Sequence, residues 1–108
     1  MAENKIEEFH VLFPDKQNRI LADEIMGRGT VDHTPVYTRE VLKRALALNA
    51  TALIIAHNHP SGDPTPSKAD IEMTKKLRDQ ASGFKIALHD HLIVARGEVL
   101  SFKSKGLL

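Results

Sequence analysis

Ala50 to Ala56, Ala-Thr-Ala-Leu-Ile-Ile-Ala, is the most apolar run in the chain, and a loop rich in Pro and Gly follows it almost at once. A short continuous run of this kind suits a strand buried on both faces. Such a strand needs partners on its edges and cover on its faces, which the rest of the chain has to supply. His57 then emerges from the end of a central strand.

The flanking segments read accordingly. Phe9, Val11 and Phe13 alternate within residues 6–13, Pro14 to Asn18 is turn chemistry, and Arg19 to Met26 returns as an antiparallel partner closed by Gly27-Arg28-Gly29. In that second strand Ala22, Glu24 and Met26 share one face. If that face is covered, Glu24 is a carboxylate among apolar neighbours and needs a partner or a purpose. At a strand edge in water it needs neither. Thr30 to Tyr37 shows no sustained periodicity. Thr38 suits the N-cap of a helix through about Leu48, with Val41, Leu42, Ala45 and Leu46 as its apolar stripe and Asn49 able to end it.

Ser67 can cap a second helix running to about Ala81, with Ile71, Thr74, Leu77 and Arg78 on one face and Ser82-Gly83 at its end. Phe84 to Ala87 reads as a strand, His89 to Ala95 as another, Arg96-Gly97-Glu98 as a turn and Val99 to Phe102 as a last strand. The order β-β-α-β-α-β-β-β predicts an α/β fold, a mixed sheet with helices packed on it, in one domain over residues 1–108.

Bulk properties narrow the chemistry. The 108 residues suffice for one core, and no apolar run approaches a membrane span. The start, Met-Ala-Glu-Asn-Lys, lacks the basic-then-apolar pattern of a secretion signal, so a soluble, cytoplasmic protein is expected. Fifteen basic and 14 acidic residues, well mixed, give a net charge of +1, which offers no basic stripe for a nucleic acid. The absence of cysteine excludes disulfides, thiolate metal sites and a cysteine nucleophile together. Any bound metal has to be held by nitrogen and oxygen.

His57 and His59 are two apart, so at the end of a strand both imidazoles can aim at one point while Asn58 points elsewhere. Asp70 lies three residues after Ser67, in the first turn of the second helix, where the intervening loop can swing its carboxylate back toward the histidines. Three such ligands leave a tetrahedral zinc with one open position, the pattern of a catalytic site. Each piece has a plainer explanation. Ser67-Lys-Ala-Asp70 is nearly a capping box, and histidines at a strand end are often solvated. The conjunction is what points to a metal. His89 and His91 repeat the i, i+2 spacing; with only Asp90 nearby, they read as structural, or as support that fixes the tautomers of the first pair.

His57-Asn-His59-Pro60, six intervening residues, Ser67, two more and Asp70 resemble the JAMM metalloprotease motif, in the wording of its bacterial RadC-like branch. Gly29-Thr30-Val31-Asp32-His33-Thr34, Tyr37-x-Arg39-Glu40-Val41 and Asp90-His91-x-Ile93-Val94 with Ser101-Phe102 extend the resemblance over nearly the whole chain. It implies a cytidine-deaminase-like fold, a sheet between helices, with zinc on His57, His59 and Asp70. It also implies an upstream glutamate as general acid/base, a role that Glu24 matches by its place in the second strand. Glu40, Glu7 and Glu8 fit that role less well. Ser67 matches the serine that donates to a developing oxyanion. Bacterial members usually carry, ahead of this part, a region resembling helix-hairpin-helix DNA-binding modules.

The function expected is a zinc-dependent peptidase or isopeptidase acting on a peptide or protein substrate. The alternative is a non-catalytic metal- or partner-binding domain associated with DNA metabolism or repair. A zinc deaminase shares the fold but pairs its histidine with Pro-Cys-x-x-Cys, and this chain has no cysteine. Loops such as residues 27–37 and 60–66 are where substrate specificity is expected.

Overall fold

Ala52–Asn58 (β3) is the middle strand of a five-stranded sheet whose order is β2-β1-β3-β4-β5. The computed structural model describes residues 6–29 and 36–108. The other strands are β1 (Glu7–Pro14), β2 (Ile20–Gly29), β4 (Ala87–Ala95) and β5 (Glu98–Ser101), with helices α1 (Thr38–Ala47) and α2 (Lys68–Ser82). β1 runs antiparallel to both β2 and β3, β3 pairs with β4 in parallel, and β5 returns antiparallel to β4. The mixed α/β sheet expected from the element order is present.

The parallel β3–β4 pair needs a crossover, and α2 provides it. Leu77 and Ala81 of α2 join Val41, Leu42 and Ala45 of α1 over Phe9, Val11 and Phe13 of β1 and Leu53 and Ile55 of β3, forming one buried cluster. These strand residues alternate, so one side of the sheet is the covered one. On the other side Leu12, Ile54 and Ala56 are only half-buried.

Local signals account for most element ends. Ser67 caps α2 in a full capping box with Asp70. Asn49, with φ of 54°, takes the left-handed conformation just beyond α1. Arg96 (φ 40°) and Gly97 (φ 78°) form the two-residue turn between β4 and β5. Positive φ at both positions matches the twist of a tight hairpin.

Two expectations need correction. Tyr37, not Thr38, is the N-cap of α1, with no side-chain cap bond, and Thr38 is buried as the first helical residue. Phe84 and Lys85 do not form a strand. They turn the chain out of α2, Lys85 at φ 57° and Ile86 N–H bonded back to Ala81 O at 3.0 Å. The left-handed Lys85 turns the chain before the ladder, and β4 runs from Ala87 to Ala95. Thr30 to Pro35, including His33 and part of the segment expected to set specificity, lie outside the described residues. Among the described residues, no helix is long and apolar enough to cross a membrane.

Candidate metal centre

β3 carries His57 on the same side as Leu53 and Ile55, and His57 is 1% exposed. His59 follows the strand's last residue, and its N–H still donates to Val94 O of β4 at 3.0 Å, so the backbone stays on the sheet. Its Nδ1 lies 2.9 Å from Asp63 O. A carbonyl only accepts, so Nδ1 carries the proton and a neutral His59 turns an Nε2 lone pair inward. The turn after His59 supplies that carbonyl. Its Gly62 has φ of 88°, and Gly62 N–H donates to His59 O at 3.0 Å.

Asp70 arrives from the first turn of α2. Its N–H donates to Ser67 Oγ at 3.0 Å, and Ser67 N–H donates to Asp70 Oδ2 at 2.9 Å. The capping box therefore coexists with the site and orients its carboxylate. Oδ2 is 3.2 Å from His59 Nε2, Oδ1 is 3.6 Å from His57 Nε2, and the two Nε2 atoms are 2.9 Å apart. The three residues singled out by spacing converge on one point.

The glutamate that joins them is Glu7. Its Oε1 is 3.8 Å from His57 Nε2, and Glu7, His57, His59 and Asp70 offer ligand atoms all within 4.8 Å of one another. Glu24, the expected acid/base, is not in this group. It lies opposite Val11, and its carboxylate takes Arg44 Nε of α1 at 2.7 and 2.9 Å. The reason is strand order. β1, not β2, is the neighbour of β3, with Phe9 opposite His57. Two residues earlier on the same side, Glu7 falls level with His59. Glu7 lies level with Gly29 of β2, four residues along β1 from the level of Glu24, or about 13 Å. The covered-face reading of Glu24 did call for a partner, and Arg44 is that partner.

Two supports were not singled out. Asn58, fully buried on the opposite side of β3, accepts from Glu8 N–H at 2.7 Å and donates to Ile6 O at 3.0 Å. It thus grips the backbone on either side of Glu7. Thr74, buried in α2, places Oγ1 2.6 Å from Asp70 O and 2.6 Å from His91 Nδ1. His91 Nε2 is in turn 2.6 Å from His57 Nδ1. His89 stays out of this arrangement. The β3–β4 register shifts between Leu53 and Ile54, where Leu88 and Asp90 are the successive partners, so His89 is the extra residue of a bulge. The i, i+2 spacing of His89 and His91 therefore makes no pair.

The rings are held by stacking. Phe9 lies over His57 with centroids 5.9 Å apart and planes at 20°, and Phe102 over His91 at 4.3 Å and 18°. Asp90 secures Phe102, accepting from Lys103 N–H at 3.0 Å and from the Ser101 hydroxyl at 2.5 Å. Burial pushes His91 down to about 3, so it is uncharged at neutral pH. The hydrogen bond to Asp70 raises His59 against the opposing effect of burial. Burial alone would raise Asp70, but the neighbouring His57 and His59 rings and the bond from Ser67 N–H hold it well below the usual carboxylate range.

The donor set suits zinc. Zn–N distances of about 2.0–2.1 Å in a tetrahedron put ligand atoms about 3.3 Å apart. The three separations among His57, His59 and Asp70, 2.9 to 3.6 Å, bracket that edge. Lone pairs and a carboxylate this close repel unless a proton or a metal cation lies among them, and the Glu, His, His and Asp group could hold a metal ion.

The chain is similar to known proteins over its whole length. A UPF0758 protein of Rhodobacter capsulatus is 58% identical over all 108 residues, and one of Ruegeria pomeroyi 55%. The chain spans about half the length of these relatives, 50% and 48%. The family model for the RadC-like JAB domain matches residues 1–107. Matched over nearly its full length, the chain belongs to the RadC-like JAB domain family.

Proposed function

We propose that this chain is a zinc-dependent hydrolase of peptide or isopeptide bonds, with His57, His59 and Asp70 as ligands and Glu7 as general acid/base. The observation that carries the proposal is one geometry. Three donors lie at the spacing of a tetrahedral edge, and the Glu7 carboxylate stands 3.8 Å from His57 Nε2. Three protein ligands are what a catalytic zinc uses, the fourth position being left for water or substrate. His59, Asp70 and Glu7 keep 14, 16 and 13% of their side chains exposed, so the open side is reachable.

Bound zinc would supply a Lewis acid that acidifies a water and polarises a carbonyl. Glu7 takes the proton of the attacking water and returns it to the leaving amine. Ser67 Oγ accepts the Asp70 N–H with one lone pair, which leaves its own proton to donate to the oxyanion. The two roles of Ser67 are compatible for that reason.

The test is zinc content and cleavage of a peptide library, followed by mass spectrometry, for the wild type and Glu7→Gln. One zinc per chain in both, with cleavage only in the wild type, is the expected result. Zinc in both and cleavage in neither would favour a metal-binding domain without turnover. A Glu7→Gln variant that still cleaves would remove Glu7 from the mechanism.

A further inference from the structure

The contacts that run inward from His57 end where they began. From His57 Nδ1 the path goes to His91 Nε2, from His91 Nδ1 to Thr74 Oγ1, and from Thr74 Oγ1 to the backbone oxygen of Asp70, each step 2.6 Å. Asp70 also presents its carboxylate to His57 Nε2 on the other side of the ring, at 3.6 Å. One residue thus closes a loop around His57, with its carbonyl at one end and its carboxylate at the other.

The loop allows two directions of hydrogen bonding, and they differ in what His57 shows to the site. In the first, the single Thr74 proton goes to Asp70 O, so Thr74 Oγ1 must accept from His91 Nδ1–H. His91 is fully buried, and as a neutral imidazole it has one N–H, so its Nε2 then accepts from His57 Nδ1–H. His57 Nε2 is left with a lone pair. In the second, Thr74 donates to His91, the two bonds between side chains reverse, Asp70 O loses the Thr74 hydrogen, and His57 Nε2 carries a proton that blocks a metal.

The hydroxyl stands in favour of the first direction. Thr74 Oγ1 lies 2.6 Å from a carbonyl one helical turn before it, a group that can only accept. Phe9 and Phe102, stacked on the two rings, keep both nitrogens of each ring aligned with the path.

We propose that Thr74 and His91 are positioning residues that fix His57 as its Nδ1–H tautomer, with the Asp70 carbonyl as the anchor of the relay, so that Nε2 faces the site as a lone pair. The proposal rests on the metal reading above, but its own evidence is a tautomer and can be read without metal. A ligand's hydrogen-bonded partners typically alter metal affinity by about 10–100-fold.

Two measurements test it. Zinc affinity by competition with a chromophoric chelator is compared for wild type, Thr74→Val and Thr74→Ser. Valine keeps the shape and removes the hydroxyl, and is expected to weaken zinc binding by about 10–100-fold. Serine restores the hydroxyl and is expected to recover most of it. Long-range ¹⁵N–¹H correlation spectra of zinc-free wild type are expected to show both His57 and His91 protonated at Nδ1. An unchanged affinity in Thr74→Val, or His91 protonated at Nε2 in the wild type, would overturn the relay. If Thr74→Val does not fold, the wild-type spectra and Thr74→Ser decide. A wild type that takes up no zinc sinks the metal reading instead, and the spectra still decide the tautomer.

Discussion

Phe9 stands opposite His57 in the β1–β3 ladder and stacks on its ring, centroids 5.9 Å apart. That pairing decides which glutamate reaches the candidate metal centre, because Glu7 is the residue two before Phe9 on the same side of β1. On the proposed reading it also leaves Glu24 without a part in the chemistry. Glu24→Gln is expected to leave zinc content and cleavage as in the wild type. Loss of its partly exposed pair with Arg44 should cost no more than about 1 kcal/mol in urea unfolding. Loss of cleavage at full stability would return the acid/base role to Glu24.

Asn58 holds the backbone on both sides of Glu7, through Glu8 N–H and Ile6 O. Asn58→Ala leaves those groups without their buried partner, a cost of about 1–3 kcal/mol. Because the ligands are untouched, zinc should remain at one per chain while cleavage falls. Calorimetry together with metal analysis separates the two effects. A variant that loses zinc in step with activity would mean that Asn58 supports the ligands instead.

Ser67 has a structural and a chemical task, and Ser67→Ala removes both. The cap bond to Asp70 N–H is worth about 1 kcal/mol. The lost oxyanion donor should lower turnover by about 10²-fold with zinc retained. Turnover that falls no further than the stability loss explains would confine Ser67 to the capping box.

Gly62, with φ of 88°, sits in the turn that carries Asp63 O to His59. A Cβ there meets Arg96 Cδ at 2.7 Å, but that is the flexible part of an exposed side chain. The backbone conformation is the larger obstacle, at roughly 1–2 kcal/mol for an L residue. Gly62→Ala should therefore be destabilised by about that amount, and adding Arg96→Ala should not restore it. Full rescue by the second substitution would make the side-chain clash the cause.

Zinc uptake should depend on pH through His59. The bond to Asp70 raises His59 above its ordinary value, so in the metal-free protein a proton is held to higher pH than on a free imidazole. Zinc needs that Nε2, so binding releases the proton. Affinity is expected to rise with pH through and above 6.5 and level off beyond the raised value. Asp70, held well below the carboxylate range, adds nothing over that interval. Titration calorimetry in buffers of different ionisation enthalpy reads the proton count, and a flat affinity from pH 6 to 8 would contradict the assignment.

Much of this protein was legible in short-range chemistry. The apolar run before His57 implied a central strand. His57 and His59 at a period of two, and Ser67 and Asp70 in one capping box, needed only local geometry to be recognised as a group. These are contacts within a few residues, where spacing and direction are set by the backbone itself. The order of strands was not legible. Nothing local says that β1 lies between β2 and β3, and on that order depends whether Glu7 or Glu24 meets the histidines. The bulge at His89 depends on register with a strand more than thirty residues away, and so does the difference between a histidine pair and a single buried His91. Thr74 read as one more residue of a helical stripe, and only the packing of α2 against β4 turns its hydroxyl into the end of a path to His57. Sequence singled out His57, His59 and Asp70 because they share one strand end and one loop. Tertiary structure decided which other residues serve them, because those choices follow from which strands and helices come to lie side by side.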